Sequence, residues 1–198
     1  MIRTHTEVLR RISSEGMAWP ARLAVRLLLA NVILILCSKV AIPLPWTPVP
    51  LTLQTFGVLL IAVLFGARAS SLAALLYLVE GAAGLPVFQP LGFAAAARFF
   101  GPTAGYLLAF PPAAFVAGRL VELLRQRAAS LRAPAAWLAT VAVLLPGEAV
   151  ILLCGWAWLA SFVGSAQALR LGVLPFLAGD FLKLALVAAT VRALPAKS

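Results

Sequence analysis

The chain has 198 residues, of which 63% are hydrophobic and only 11% are charged, and its mean hydropathy is +1.04. Because an ordinary soluble domain carries about 25% charged residues, this composition excludes a soluble globular protein and predicts an integral membrane protein. A net charge of +10 is also typical of proteins that bind nucleic acids, but the positions of the basic residues along the chain favour a membrane topology instead.

Six apolar runs approach the length of about 20 residues that a membrane-spanning helix needs. They lie at roughly 22–42, 51–66, 69–83, 101–119, 135–160 and 172–194. The runs predict an all-α integral membrane protein, with one bundle of six transmembrane helices over residues 1–198 and a basic cytoplasmic tail at 1–21. The third run is short and ends in Gly81, Gly84 and Pro86, so that helix is expected to be broken or tilted.

The basic residues follow the positive-inside rule if the N-terminus is cytoplasmic. Six spans then return the C-terminus to the cytoplasm, and twelve of the sixteen Lys and Arg residues fall on the inner side. The outer side keeps only Lys39, Arg98, Arg170 and Lys183. The basic patches are therefore predicted to anchor the chain against anionic lipid, with no nucleic-acid partner.

Two non-helical segments fall on the predicted outer side. Residues 43–50 contain four prolines, which fix φ and remove backbone donors, so this segment is expected to be a stiff extended strap. Residues 84–100 are rich in glycine and aromatic residues, and irregular backbone near a membrane is tolerated where it is buried in protein or lines a cavity. Together the two loops are predicted to form the rim and lid of an outward-facing pocket.

Arg98 and the motif GPTAGY that follows at 101–106 admit two explanations. Pro102 is well placed as the first residue of the fourth helix, and the free N–H groups of a first helical turn attract anions. Gly101 and Gly105 also suit a close approach of a neighbouring helix, which is the packing explanation. The guanidinium of Arg98 beside the helix start favours the anion site.

Asp180 and Lys183 lie three residues apart in the last apolar run, on one helical face. A charge in the hydrocarbon region costs between about 2.5 and well over 10 kcal/mol, so such groups usually face a cavity, a partner or a pathway. With a helix start near Pro175, a rise of about 1.5 Å per residue places them ~8 Å and ~12 Å inside it. The alternative is that they pair with each other, or with Glu148, and only hold the bundle together.

Four segments of the chain are distinctive: PVPLTLQTFGVLL, LLYLVEGAAGLPVF, GPTAGYLLAFPPAAFVAGRL and LPFLAGDFLK. In that order they closely resemble the biotin transporter BioY family, the biotin-specific substrate-binding (S) components of energy-coupling factor transporters. The resemblance covers most of residues 43–195, and GPT-x-GYL-x-F with the final G-D-x-x-K are its most specific parts. It implies a six-helix S-component bundle in a prokaryotic plasma membrane, which captures biotin outside and works with a membrane coupling subunit and a pair of ABC-type ATPases.

Biotin presents a carboxylate, a ureido group with two N–H donors and one carbonyl, and an apolar ring. Asp180 suits a ureido N–H, while Lys183 and Arg98 suit the carboxylate through charge-assisted hydrogen bonds. The resemblance likewise implies that Asp180 and Lys183 contact biotin. Two further groups are expected in the site: polar contacts from Gln54, Gln89 and Tyr106, and an apolar wall from Phe88, Trp156 or Trp158.

No phosphate-binding motif of the form G-x-x-x-x-G-K-[ST] occurs, so the chain is not expected to hydrolyse ATP or to be an enzyme. No cofactor or metal is predicted, because His5 is the only histidine and both cysteines lie in apolar runs. The Ala-x-x-x-Ala signature that S components tend to carry on helix one is missing, since Ala24 and Ala30 have the wrong spacing. A dedicated coupling partner, or a homo-oligomer, therefore stays open.

The alternative function is a proton-coupled secondary transporter, or a solitary facilitator, of a small carboxylate vitamin. In it Asp180, Lys183 and Glu148 form a proton relay, and uptake follows a proton gradient without ATPase partners. A structural membrane protein is a third alternative and would bind no small molecule. Glu80 stands where the resemblance implies an apolar residue, and no role is assigned to it.

Overall fold

The protein is described here by a computed structural model, which covers residues 19–88, 96–127 and 133–193. The described part is mostly helical. Its elements in chain order are α1 (Trp19–Lys39), β1 (Ala41–Ile42), β2 (Leu51–Thr52), α2 (Gln54–Phe65), α3 (Ala67–Ala82), a 3-10 helix (Ala96–Phe99), α4 (Ala104–Leu108), α5 (Phe110–Arg127), α6 (Ala133–Val163), α7 (Ser165–Gly172) and α8 (Leu177–Ala193).

Within the described residues, two helices are long and apolar enough to cross a membrane by themselves: α1 and the segment Pro134–Val163 of α6. A third span arises if α7 and the segment Leu177–Thr190 of α8 are taken as one span bent by 49°. Helix α2 has 12 residues and α3 has 16, which is less than the ~20 that a straight span needs. These lengths support a membrane protein with two or three full-length spans, and the six-span topology stays a prediction.

Several helix boundaries differ from the sequence-based ones. The fourth predicted helix is divided at Ala109 into α4 and α5, because Pro111 and Pro112 have no N–H and are tolerated only in the first turn of a new helix. The sequence predicted Pro102 as the first residue of the fourth helix, but α4 begins at Ala104. The short helix α3 is continuous to Ala82, and its chain turns away at Gly84, where φ is +89°.

Helix α5 is the centre of the bundle, and it packs against α2, α3 and α6. Its contact with α6 is close at Gly147, where an added Cβ would lie 2.8 Å from the Cβ of Ala117 and 3.1 Å from the carbonyl oxygen of Ala113. Helix α1 packs on α2 and α3, and α8 packs on α2 and α6. Large apolar side chains such as Leu28 and Leu153 remain exposed on the outside, as expected of a surface that faces lipid.

The proline-rich strap at residues 43–50 is not helical, as predicted. The antiparallel pair of β1 and β2 closes its base, with Ala41 opposite Thr52 and Ile42 opposite Leu51. The hydroxyl of Thr47 donates a hydrogen bond of 2.8 Å to the carbonyl oxygen of Leu171 in α7. The strap is therefore held at its base and at its middle, over the ends of α2 and α7.

Candidate ligand-binding site

A cavity of about 630 Å³, counted with its open mouth, lies under the strap between α2, α4, α6 and α8. Small-molecule sites combine an apolar wall with a few polar groups. The polar and charged side chains that line this cavity are Thr52, Gln54, Thr55, Arg98, Thr103, Tyr106, Asp180 and Lys183, and the largest apolar ones are Phe88, Phe110 and Phe176.

Six of the nine side chains proposed from the sequence line this one cavity, although they come from five separate parts of the chain. They are Gln54, Phe88, Arg98, Tyr106, Asp180 and Lys183. Gln89 lies outside the described residues. Trp156 and Trp158 are described and do not line the cavity. The structure thus brings together most of the candidates, without testing what they bind.

Asp180 and Lys183 form a buried ion pair at the cavity surface. The Lys183 Nζ donates to Asp180 Oδ1 at 2.9 Å and to Thr55 Oγ1 at 2.9 Å, and the two charged side chains are only 8% and 5% exposed. A buried charge is tolerated when it is paired and hydrogen-bonded, as it is here. The two side chains therefore line the cavity and also neutralise each other. The two sequence-based interpretations, a ligand site and an ion pair, are compatible.

Gln54 is oriented by a chain of hydrogen bonds at the start of α2. Its side-chain amide donates to the Tyr77 hydroxyl at 2.7 Å, its oxygen accepts a 3.2 Å bond from Thr52, and Tyr77 donates onward to the carbonyl oxygen of Val87 at 3.1 Å. Tyr77 was missed in the sequence analysis. A signal was present, because a tyrosine within an apolar helix needs a partner for its hydroxyl.

Phe88 is held against the cavity by packing with aromatic rings. Its ring meets that of Tyr77 edge-on at a centroid distance of 5.0 Å and that of Phe99 at 5.6 Å. A Cβ on Gly81 would lie 2.1 Å from the Phe88 ring, so glycine is required at that position for the ring to fit. The backbone beside Phe88 is fixed by Ser38, whose hydroxyl donates to the carbonyl oxygen of Val87 at 2.7 Å.

Tyr106 presents its ring to the cavity while its hydroxyl is used elsewhere. The hydroxyl donates a 2.7 Å hydrogen bond to the carbonyl oxygen of Gly172, at the end of α7. Gly155 and Gly172 make room for this side chain, since an added Cβ would lie 2.1 Å and 2.2 Å, respectively, from atoms of Tyr106. Tyr106 is thus a fixed wall of the cavity and ties α4 to α7.

Arg98 is the second cationic side chain at the cavity, and it lies in the 3-10 helix (Ala96–Phe99) that precedes α4. Its side chain is half-buried, and this burial lowers the pKa of the guanidinium from its ordinary value. The guanidinium stays charged in spite of this, because its ordinary pKa is far above neutrality. Helix α4 has only five residues, so the positive charge that attracts an anion at this place comes from Arg98 and not from the N-terminus of the helix.

The two tryptophans do not wall the cavity, which corrects the sequence-based expectation. Trp158 is 37% exposed and donates its indole N–H to the carbonyl oxygen of Gly101 at 3.0 Å, and Trp156 donates to the carbonyl oxygen of Ser165 at 3.0 Å. Gly105 packs against Trp158, with only 2.3 Å between its hypothetical Cβ and that of the tryptophan. This contact confirms the packing explanation for Gly105.

The remaining acidic candidates, Glu80 and Glu148, do not line the open cavity. Glu80 accepts a 3.0 Å hydrogen bond from the side-chain amide of Asn31, which joins α3 to α1. Glu148 is buried in α6 and is not hydrogen-bonded to Lys183. Among residues 19–88, 96–127 and 133–193, no cluster of His, Cys, Asp and Glu side chains is arranged to hold a metal ion.

Comparison with known proteins gives a consistent set of similarities. A sequence model described as "BioY family" matches residues 10–197. A "Probable biotin transporter BioY" from Pyrococcus horikoshii is 44% identical over 70% of this chain and 75% of its own length. "Biotin transporter BioY2" from Lactococcus lactis is 37% identical over 84% of this chain and 88% of its own length, and "Biotin transporter BioY" from Rhodobacter capsulatus is 35% identical over 83% and 88%.

One solved structure resembles this chain over most of its length. It is entitled "Crystal structure at 2.1 A of the S-component for biotin from an ECF-type ABC transporter". The TM-score is 0.79 at 24% sequence identity, and the match covers 92% of this chain and 96% of the other. This similarity shows that the two chains share a fold.

Proposed function

The chain belongs to the BioY family, and from this membership we propose that it is the biotin-binding membrane component of an energy-coupling factor transporter. In this proposal six transmembrane segments form an S-component bundle in a prokaryotic plasma membrane, with both termini in the cytoplasm. The bundle takes biotin from the outer side and delivers it inward with a membrane coupling subunit and a pair of ABC-type ATPases.

One observation carries the assignment of the ligand to the cavity. Two cations, one carboxylate and one primary amide converge on a cavity whose other lining residues are aromatic, aliphatic or threonine. These side chains suit a ligand with an anion at one end, a group with both hydrogen-bond donors and acceptors at the other end, and an apolar body between them. Biotin has these three parts.

The geometry favours a division of roles that differs from the sequence-based one. Asp180 and Lys183 are in direct contact at 2.9 Å, whereas the carboxylate and the ureido group lie at opposite ends of biotin. An adjacent acceptor and donor match an adjacent N–H and carbonyl of the ureido group. We therefore assign both Asp180 and Lys183 to the ureido end, and Arg98 alone to the carboxylate, where a charged fork binds two oxygens well.

Calorimetric titration of the purified protein tests this proposal with two ligands, biotin and its uncharged amide. The wild type should prefer biotin, and Arg98→Gln should bind both ligands with similar affinity, because a charge-assisted hydrogen bond of about 1.5–3 kcal/mol is worth roughly tenfold to a hundredfold. Lys183→Met should weaken both ligands and keep the preference. Arg170→Gln removes an exposed cation that does not line the cavity and serves as the matched control.

Two results would contradict the proposal in different ways. Absence of binding by the wild type refutes the ligand assignment as a whole. If Arg98→Gln keeps the preference for biotin and Lys183→Met loses it, the carboxylate is bound by Lys183 and not by Arg98, which refutes the division of roles proposed here. The energy source is tested with vesicles that contain this chain alone. Biotin uptake that follows a proton gradient in these vesicles would favour a secondary transporter.

A further inference from the structure

Glu148 is a buried carboxyl group without a hydrogen-bond partner. It is 3% exposed, and neither of its oxygens accepts a hydrogen bond from any described residue. Buried polar groups are hydrogen-bonded in the large majority of cases, and an exception needs an explanation. The site proposed above does not use Glu148, because its side chain does not line the open cavity.

Glu148 lies directly beneath the floor of the cavity. It precedes Ile151 and Leu152 by three and four residues in α6, so it shares their helical face one turn away, and both of those residues line the cavity. Helix α8, which carries Asp180 and Lys183, packs on α6. The charges of both Asp180 and Lys183 act on the Glu148 carboxyl group.

Other ionisable groups on the elements that pack against α6 do not compensate Glu148. Helix α2 carries none, and in α4 the Tyr106 hydroxyl already donates to the carbonyl oxygen of Gly172. In α7, Arg170 is exposed. In the described part of α5 the charged side chains are Arg119, Glu122, Arg125 and Arg127, of which the arginines are exposed and Glu122 accepts from Arg119 and from the Ala67 N–H. Asp180 and Lys183 therefore set the charge around Glu148.

The number of charges in this group decides its chemistry. Lys183 already donates to Asp180 and to Thr55, so it is not bound to Glu148. If all three groups were ionised, the buried cluster would hold one uncompensated negative charge, which is expensive in a low-dielectric interior. Two carboxylates have no proton to share and cannot hydrogen-bond. One proton on Glu148 neutralises the cluster and supplies a donor, which gives one of its two unpartnered oxygens a hydrogen bond.

We propose that Glu148 holds a proton and donates it in a hydrogen bond to Asp180, so that ligand binding above this carboxyl pair is linked to one proton. The inference rests on the proposed function and deepens it, with Glu148 as a positioning residue that acts through Asp180. Loss of the proton puts a net negative charge under the cavity, which repels an anionic ligand and draws Lys183 away from it. Affinity for biotin therefore falls as the pH rises.

Infrared spectroscopy tests the proton without any ligand. The ligand-free wild type should show the C=O band of a protonated carboxyl group, and Glu148→Gln should lack it. The matched control is Glu80→Gln, which removes a half-buried carboxyl group that is bonded to Asn31 and does not line the cavity, and which should keep the band. A wild type without the band, or a band that survives in Glu148→Gln, overturns the proposal whether or not biotin binds.

Titration with biotin from about pH 6 to about pH 9 tests the linkage, since ordinary carboxyl groups stay ionised and ordinary lysines stay protonated in this range. Wild-type affinity should fall by at most about tenfold per pH unit, the limit for one linked proton. Glu148→Gln keeps a donor to Asp180 and should bind with a flat pH profile, whereas Glu80→Gln should keep the slope. An unchanged slope in Glu148→Gln refutes the linkage.

A further measurement on the wild type alone guards against a variant that does not fold. Titrations in buffers of different ionisation enthalpy count the protons taken up on binding. The count should rise toward one as the pH increases, and a count of zero throughout the range contradicts the inference. Failure of the proposed function is distinguishable, because a protein that does not bind biotin would still show the carboxyl band.

Discussion

The packing of Tyr106 against Gly155 allows a prediction with a calculable size. In Gly155→Ala the new Cβ would lie 2.1 Å from the Tyr106 ring. Carbon atoms in contact are about 3.5–4.0 Å apart, so the ring must move by more than about 1 Å. Such a shift breaks the 2.7 Å hydrogen bond from the Tyr106 hydroxyl to the carbonyl oxygen of Gly172.

The free energies involved can be combined for Gly155→Ala. Overpacking costs about 1–3 kcal/mol, the lost hydrogen bond costs about 0.5–1.5 kcal/mol, and alanine in a helix returns about 1 kcal/mol relative to glycine. The balance is a loss of roughly 2 kcal/mol, or a fall in Tm of about 4–8 °C for a chain of this size. Affinity for biotin should fall as well, because Tyr106 lines the cavity.

Thermal unfolding in detergent measures this effect, with Gly179→Ala as the matched control. Gly179 is also helical and near the site, but its Cβ would meet only Leu51 at 3.5 Å, an ordinary contact. That substitution should raise Tm. In a Tyr106→Ala background, where the ring is absent, Gly155→Ala should become stabilising too. Equal effects of Gly155→Ala with and without the Tyr106 ring would refute the packing argument.

Two further predictions concern the ion pair and the strap. Lys183→Met leaves Asp180 buried without its cation and should destabilise the protein by about 3–5 kcal/mol. The double variant Lys183→Met with Asp180→Asn should recover most of the loss in Tm. A double variant that is as unstable as the single one would contradict this prediction. Thr47→Val removes the bond between the strap and Leu171 and should speed biotin release in stopped-flow measurements while costing about 1 kcal/mol of stability. An unchanged release rate would show that the strap does not retain the ligand.

The charged residues of the cavity lining could be predicted from the sequence because charge in an apolar run has few explanations. Asp180 and Lys183 stand out by their cost, and their helical spacing places them on one face. The positions of Tyr77, Trp156 and Trp158 relative to the cavity could not be predicted in this way. Whether an aromatic ring faces a cavity, a loop or lipid depends on which helices become neighbours. Trp156 and Trp158 bind carbonyl groups of Ser165 and Gly101, which no local pattern indicates.

The helix boundaries show the same difference between local and tertiary causes. The interruption at Ala109 follows from Pro111 and Pro112 and was available in the sequence. Helix α6, by contrast, continues through Pro146 as one helix of 31 residues. The predicted run at 172–194 corresponds to α8, whereas α7 (Ser165–Gly172) lies almost wholly between this run and the one at 135–160 and was not predicted as a helix.

The last two carbonyl groups of α7 receive bonds from both sides of the ligand cavity. Thr47 of the strap donates to Leu171, and Tyr106 of the wall donates to Gly172. Because the strap and the wall are both bonded to the end of α7, we expect them to move together when a ligand enters or leaves. We therefore expect these two bonds to slow binding and release alike, and to change the residence time of the ligand more than its equilibrium affinity.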